Sequence, residues 1–135
     1  MRALPRLARR RSTISGAGVY ALQPIAKDAR IVEYKGALIS QAEAWRREQR
    51  YLPRHRIWIF DIDRRRARDA AFGGNIARYI NHACRPNCWV DIEGTHIWIR
   101  ALRAIRTGEE LSYDYNTGGT ARIPCRCRPG CRHVL

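Results

Sequence analysis

Three of the five cysteines in this 135-residue chain, Cys125, Cys127 and Cys131, crowd the stretch CRCRPGC near its end. The surrounding residues, from Asn116 on, are rich in Gly and Arg and offer almost nothing to bury, so the segment needs a different source of folding energy. An odd cysteine count with tight clustering argues against a disulfide framework and for a metal. Zinc takes four tetrahedral ligands, usually thiolates or imidazoles, and binding it would supply the folding free energy that the segment lacks. The flanking arginines favour thiolate forms. The fourth ligand is either local, His133, or remote. Cys84, in the stretch YINHACRPNC (79–88), would staple the tail to the rest of the chain. Cys88 reads as a buried apolar thiol.

With 45% hydrophobic residues overall, the chain can build an ordinary globular core outside this segment. No apolar run is long enough to span a membrane, and the basic start MRALPRLARRRS lacks the apolar stretch of a secretory signal. Short strands are expected at GVYAL (18–22), ARIVEY (29–34), IWIFDID (57–63) and ELSYDY (110–115). CWVDI (88–92) and HIWIRAL (96–102) flank Glu93-Gly94, a hairpin signal. Ser40 and Glu43 form a capping box that opens a helix over about 40–50, with Trp45 on its inner face. GGNIARYIN (73–81) contains a possible helical turn. These elements predict a mainly β domain with a small C-terminal appendage.

The net charge is +14, and only Lys27 and Lys35 of the 26 basic residues are lysine. Such a charge favours polyanions, although an arginine skew also fits a GC-rich, bacterial source. A bacterial protein of this kind would work in the cytoplasm or nucleoid, or be delivered to a host nucleus.

Five segments occur in a familiar order: SGAGVYAL (15–22), IVEYKGALIS (31–40), RYINHACRPNC (78–88), GEELSYDYN (108–116) and CRCRPGC (125–131). In this the chain resembles the SET-domain lysine methyltransferases over about residues 12–135. The resemblance implies a SET fold of several small sheets with few short helices. It implies that the Asn-His segment and the last strand pass each other in a knot-like thread, and that a zinc-stapled post-SET tail follows. The implied organisation is a basic arm (1–11), a SET domain (12–118) and a post-SET tail (119–135). The implied methyl donor is S-adenosylmethionine, held by Gly16, Ala17 and Gly18, by Tyr20, Arg78, Asn81 and His82, and by Trp58, which stands where relatives often have Tyr. The implied zinc ligands are Cys84, Cys125, Cys127 and Cys131. The tail spacing is one residue shorter than usual, which keeps His133 as an alternative ligand. Val134-Leu135 stand where many relatives place an aromatic residue, so closure over the donor by the tail is expected to be incomplete.

Tyr115, by the same resemblance, is the catalytic tyrosine, which also meets the methyl donor. Tyr34 lines a lysine channel, and Tyr113 tunes product state toward monomethylation, with dimethylation secondary. The implied substrate is a lysine of a histone or basic nucleoid protein. A +14 chain repels a basic peptide at long range, so Asp61, Asp63, Asp69, Asp91 and Asp114 are expected to form an acidic path, or the basic surface to grip DNA or a nucleosome. The rival reading is a non-enzymatic, zinc-stapled nucleic-acid-binding module. A thiol redox protein using Cys84 and Cys88 lacks a Cys-x-x-Cys pair.

Overall fold

The computed structural model describes residues 3–135. Met1 and Arg2 of the expected basic arm lie outside the described residues. The arm is not a free tail over its last five residues. Leu7–Arg11 form β1, paired antiparallel with β2 (Ala17–Ala21) from Leu7↔Ala21 to Arg11↔Ala17. LARRR shows no apolar alternation because β1 is an edge strand whose arginines face water, a composition that protects an open edge.

Two three-stranded antiparallel sheets follow. In the first, β9 (His96–Ala101) lies between β3 (Arg30–Glu33) and β8 (Cys88–Glu93). Alternate residues of β9, Ile97, Ile99 and Ala101, have no exposed surface, which is the period-two pattern that HIWIRAL announces. The β8–β9 turn falls at Gly94-Thr95, one residue later than expected, because Glu93 pairs with His96 and Gly94 takes φ +61°. The second sheet has the order β4 (Ala37–Ser40), β6 (Arg66–Asp69), β5 (Ile59–Asp61). Gly36 is required at its edge, since a Cβ there would lie 2.5 Å from the Asp69 carbonyl.

The one α-helix among the described residues, α1 (Gln41–Tyr51), begins as its capping signal predicts, with Ser40 Oγ accepting from the Glu43 N–H at 3.2 Å. Trp45, however, is 67% exposed, and Ala44 is the buried residue. The helix sits too close to the second sheet for an indole; a methyl group and the stem of Arg47, which reaches Asp69 at 2.9 Å, fill the interface. Among the described residues no helix is long and apolar enough to cross a membrane.

The threaded arrangement is present. β7 (Asn81–His82) and β10 (Ser112–Tyr113) pair in parallel, Ser112 opposite Asn81 and Tyr113 opposite His82. On the other side of the same segment, Leu111 N–H donates to Val19 O at 2.8 Å and Gly108 N–H to Ala21 O at 2.7 Å. The Asn87 side chain donates to Glu110 O and accepts from Ser112 N–H, both at 2.9 Å. Residues 108–113 therefore run between β2 and the 81–87 loop. The tail has a small core after all: Ala121, Ile123 and Leu135 pack together against Leu52, Ile57 and Tyr115.

Candidate active site and metal centre

The threading brings distant segments to the wall of one cavity of about 680 Å³. Gly16 and Ala17 reach it from the start of β2, Trp58 from the approach to β5, and Arg78 from the 3₁₀ turn Ile76–Tyr79. Asn81, His82 and Tyr115 complete this set, and Leu135 adds an apolar wall from the tail. Gly18 and Tyr20 are not among the residues that line this cavity. Both pack on Glu110, which the sequence reading did not single out. A Cβ on Gly18 would lie 2.3 Å from Glu110 Oε2, and Tyr20 donates to Glu110 Oε1 at 3.2 Å. Glu110 also accepts from Ser12 Oγ at 2.8 Å and from the Asn81 amide at 2.9 Å. Asn81 in turn donates to Ala17 O at 2.8 Å, so this carboxylate joins the threaded segment to the glycine turn. Burial and the Glu110 charge raise the Tyr20 pKa. The only signal for Glu110 in the sequence is its alternation with Leu111 ahead of YDY.

His82 has a determinable tautomer. The Tyr115 backbone N–H, which can only donate, meets His82 Nδ1 at 3.0 Å. Nδ1 is therefore the unprotonated nitrogen and the ring proton sits on Nε2, 3.6 Å from Cys84 Sγ. Asp114 lies 3.6 Å from the same Nδ1 but is mostly exposed. Burial outweighs it and lowers the His82 pKa.

A second cavity, of about 730 Å³, carries Tyr34, Tyr113 and Tyr115 on its wall. Tyr34, Phe60, Tyr113 and Tyr115 form a chain of rings with successive centroid separations of 5.1, 5.8 and 4.8 Å. Phe60 was also missed, although IWIFDID puts it on the same strand face as Trp58. The Tyr34 hydroxyl donates to Trp58 O at 2.7 Å and the Tyr115 hydroxyl to Ile80 O. The Tyr113 hydroxyl has no partner among the described residues, and Thr117 Oγ1, on the same cavity, is buried and unpartnered. Burial raises all three tyrosine pKa values, so the phenols are neutral at physiological pH. Tyr115 lines both cavities.

The two walls carry opposite charge. The first has Arg9, Arg54, Arg56, Arg78 and Arg126 and no aspartate or glutamate. The second has Glu48, Asp61 and Asp114 and no arginine or lysine. Burial and neighbouring Asp61 raise the Glu48 pKa. The expected five-aspartate path is thus corrected. Asp63 pairs with Arg66 at 2.9 Å, Asp91 pairs with Arg100 at 3.0 Å, and Asp69 is fully buried against Arg47 and Tyr51.

Cys84, Cys125, Cys127 and Cys131 hold their sulfur atoms within 4.8 Å of one another. Cys84 Sγ lies 3.9 Å from Cys125 Sγ and 3.8 Å from Cys131 Sγ. A tetrahedron with metal–sulfur bonds of about 2.3 Å has edges of about 3.8 Å, so the four thiols suit a tetrahedral, thiophilic ion. Burial pushes the Cys125 thiol up to about 12, whereas hydrogen bonds to Cys127 outweigh burial and lower it to about 7. His133 stacks on the His82 ring at 5.4 Å and lies with Cys84 and His82 beside this cluster. Cys88 is buried in the β core.

A family model for the SET domain matches residues 16–116. The chain belongs to the SET-domain family. The matched span of this SET domain includes every residue named on the two cavities from Gly16 to Tyr115, together with Cys84; the three tail cysteines follow it. Its relatives include the histone-lysine N-methyltransferase trr of Drosophila melanogaster, 43% identical over an alignment of 131 residues, covering 90% of this chain and 5% of that protein. An H3 lysine-4 specific histone-lysine N-methyltransferase of Chaetomium globosum is 45% identical, covering 87% of this chain and 12% of the relative. Among solved structures, ctPRC2 bound to S-adenosylmethionine superimposes with a TM-score of 0.77 at 31% identity, covering 84% of the SET chain and 15% of its own. The Chaetomium thermophilum polycomb repressive complex 2 gives 0.75 at 31%, covering 84% and 16%. The SET chain therefore spans a small part of each relative's length.

Proposed function

We propose that this SET domain is an S-adenosylmethionine-dependent protein-lysine N-methyltransferase, with the cofactor in the first cavity and the substrate lysine in the second. The observation that carries this reading is the double position of Tyr115, on the wall of both cavities at once. Transfer from a sulfonium to an amine is an in-line displacement, and a residue common to both walls stands where donor and acceptor must meet. S-adenosylmethionine, when bound, supplies an electrophilic methyl group. Asn81 keeps its side-chain oxygen free for the cofactor, because its amide hydrogens are taken by Ala17 and Glu110. The rings of Tyr34, Phe60, Tyr113 and Tyr115 give the lysine stem an apolar, aromatic path, and desolvation along it lowers the amine pKa and favours the neutral nucleophile. Tyr115, with its pKa raised, orients and polarises rather than acting as a base. Tyr113 limits the product to the monomethyl state, with dimethylation secondary, by placing a hydroxyl where a methylated nitrogen would turn.

The substrate class is a lysine in a histone or another basic protein, in chromatin or a nucleoid. Glu48, Asp61 and Asp114 supply the local negative field that such a peptide needs. Cys84, Cys125, Cys127 and Cys131 would hold zinc, which would fix the tail against both cavities. Radiolabelled methyl transfer onto core histones and onto cell lysate tests the reading. Tyr115→Phe should lower the rate on the accepted substrate about 100-fold or more while S-adenosylhomocysteine still binds. Equal rates in the two proteins would refute it.

A further inference from the structure

The mouth of the first cavity carries more positive charge than its proposed occupant explains. Arg9 comes from β1, Arg54 and Arg56 from the turn after α1, and Arg126 from the tail; all four are exposed. None of the four pairs with a carboxylate among the described residues. Arg9 lies 4.0 Å from the Tyr79 ring centre and Arg56 4.9 Å from that of Trp58. Stacking of this kind fixes the guanidinium plane and leaves its N–H edge for an oxyanion. S-adenosylmethionine has one carboxylate against an ammonium and a sulfonium, so its net charge is +1. Its single carboxylate can answer one guanidinium, and half-buried Arg78 is the one set deepest. The four exposed arginines on the same cavity are then left without a carboxylate partner among the described residues.

We propose that this rim binds the phosphate backbone of a nucleic acid, and that this binding strengthens the hold on S-adenosylmethionine. Phosphates spaced along a strand answer guanidiniums gathered from three chain segments, without reference to base sequence. They also cancel the positive potential that opposes a cationic cofactor. S-adenosylhomocysteine, lacking the sulfonium charge, gains less. Coupling is reciprocal, so the methyl donor tightens nucleic-acid binding in return. The surface stands by itself, whereas the coupling rests on the first cavity being the S-adenosylmethionine site.

The test uses the full chain with zinc. Anisotropy of a short labelled DNA duplex, and of a single strand of the same sequence, is followed over a salt series. Replacing Arg9, Arg54, Arg56 and Arg126 by Ala should flatten the slope of log K against log salt by about 3 to 4. Replacing Arg50, Arg64, Arg65 and Arg106 by Ala, an equal charge loss away from this mouth, should leave most of the slope. The double change Arg54→Glu/Arg56→Glu, which alters no residue of the tail itself, should cost at least about 10-fold in affinity. Binding by either nucleic-acid form with this arginine dependence supports the surface. Absence of binding, or equal losses in the two quadruple variants, overturns it. Calorimetry should show saturating nucleic acid tightening S-adenosylmethionine about 5-fold more than S-adenosylhomocysteine. Equal effects on the two overturn the coupling. If neither cofactor form binds while the arginine-dependent contact persists, the proposed enzymatic function fails and the surface stands.

Discussion

The two cavities share Tyr115 and Ile57 on their walls and differ in almost everything else. One is ringed by arginine from four chain segments. The other is aromatic, lined by phenols and rimmed by three carboxylates. A chain of net charge +14 thus carries one locally negative wall, because Glu48, Asp61 and Asp114 gather there without an arginine or lysine partner while Asp63, Asp69 and Asp91 are neutralised by arginines elsewhere. Net charge describes the far field, whereas the potential at a site depends on groups within about a Debye length, ~10 Å at 0.1 M salt.

The widest break in this comparison should come from the element that supports both walls. Ile123, Cys125 and Leu135 of the tail line the first cavity, and Thr117, Thr120 and Ala121 line the second. Cys84 connects the cysteine cluster to His82, and through Nδ1 of that ring to the Tyr115 backbone. Cys84→Ser is expected to lower zinc content and weaken S-adenosylhomocysteine binding by about 100-fold, read by metal analysis and calorimetry. A variant that loses its metal yet keeps full affinity would show that the tail does not hold the first wall.

Neutralising the second cavity alone should separate the two. The triple change Glu48→Gln, Asp61→Asn, Asp114→Asn is expected to raise KM for a basic peptide about 10-fold at low salt, and to leave S-adenosylhomocysteine affinity unchanged. The effect should fade as ionic strength rises. An equal loss of cofactor binding would mean that the cavities are not electrostatically independent. A smaller, purely local change is Tyr113→Phe. It deletes a hydroxyl that has no partner among the described residues, so stability should hardly move. The dimethyl share of the product should rise a few-fold, as read by mass spectrometry; an unchanged product distribution removes Tyr113 from the control of product state.

How much of this was legible beforehand depends on how local each signal is. The β8–β9 hairpin, the Ser40 cap and the cysteine cluster were readable because their causes lie within a few residues. β6 was not, since RARD looks polar; yet Ala67 and Asp69 are fully buried, and Asp69 is admitted by its bonds to Arg47, Tyr51 and the Ala71 N–H. β1 was missed for the opposite reason, as an edge strand needs no buried face of its own. The Asn81, His82 and Tyr115 set followed from ordered motifs, and the geometry gathers it. Glu110 escaped notice because its partners Ser12, Tyr20 and Asn81 lie 98, 90 and 29 residues away in sequence. The charge division is invisible in a linear count because it depends on which ionic groups find partners after folding.

The charge difference between the walls should also register in tyrosine acidity, which gives the gentlest test. On the basic side, Arg78 donates to the Tyr79 hydroxyl at 2.7 Å and, with Arg9 and Arg56, holds that pKa below its usual 10.0 against the opposing effect of burial. On the other side burial raises Tyr34, Tyr113 and Tyr115 above the same value. Between the folded pKa of Tyr79 and 10, the unfolded chain binds more protons at that residue, so its contribution to stability grows with pH. Above 10 the sign reverses, because the native protein retains the phenolic protons of Tyr34, Tyr113 and Tyr115, and those of Tyr20 and Tyr51, that the unfolded chain gives up. Cys88, pushed up to about 12 from 9.0 by burial, starts that loss earlier, from pH 9. In the zinc-loaded protein, where the four cluster thiols do not titrate, melting temperature is therefore expected to fall above pH 10, and to fall less steeply in Cys88→Ala. In an ultraviolet tyrosinate titration the first phenol to ionise should vanish in Tyr79→Phe. If the first to ionise is instead Tyr34 or Tyr113, the second cavity is wetter and less negative than its geometry implies, and the contrast between the walls fails at its most sensitive point.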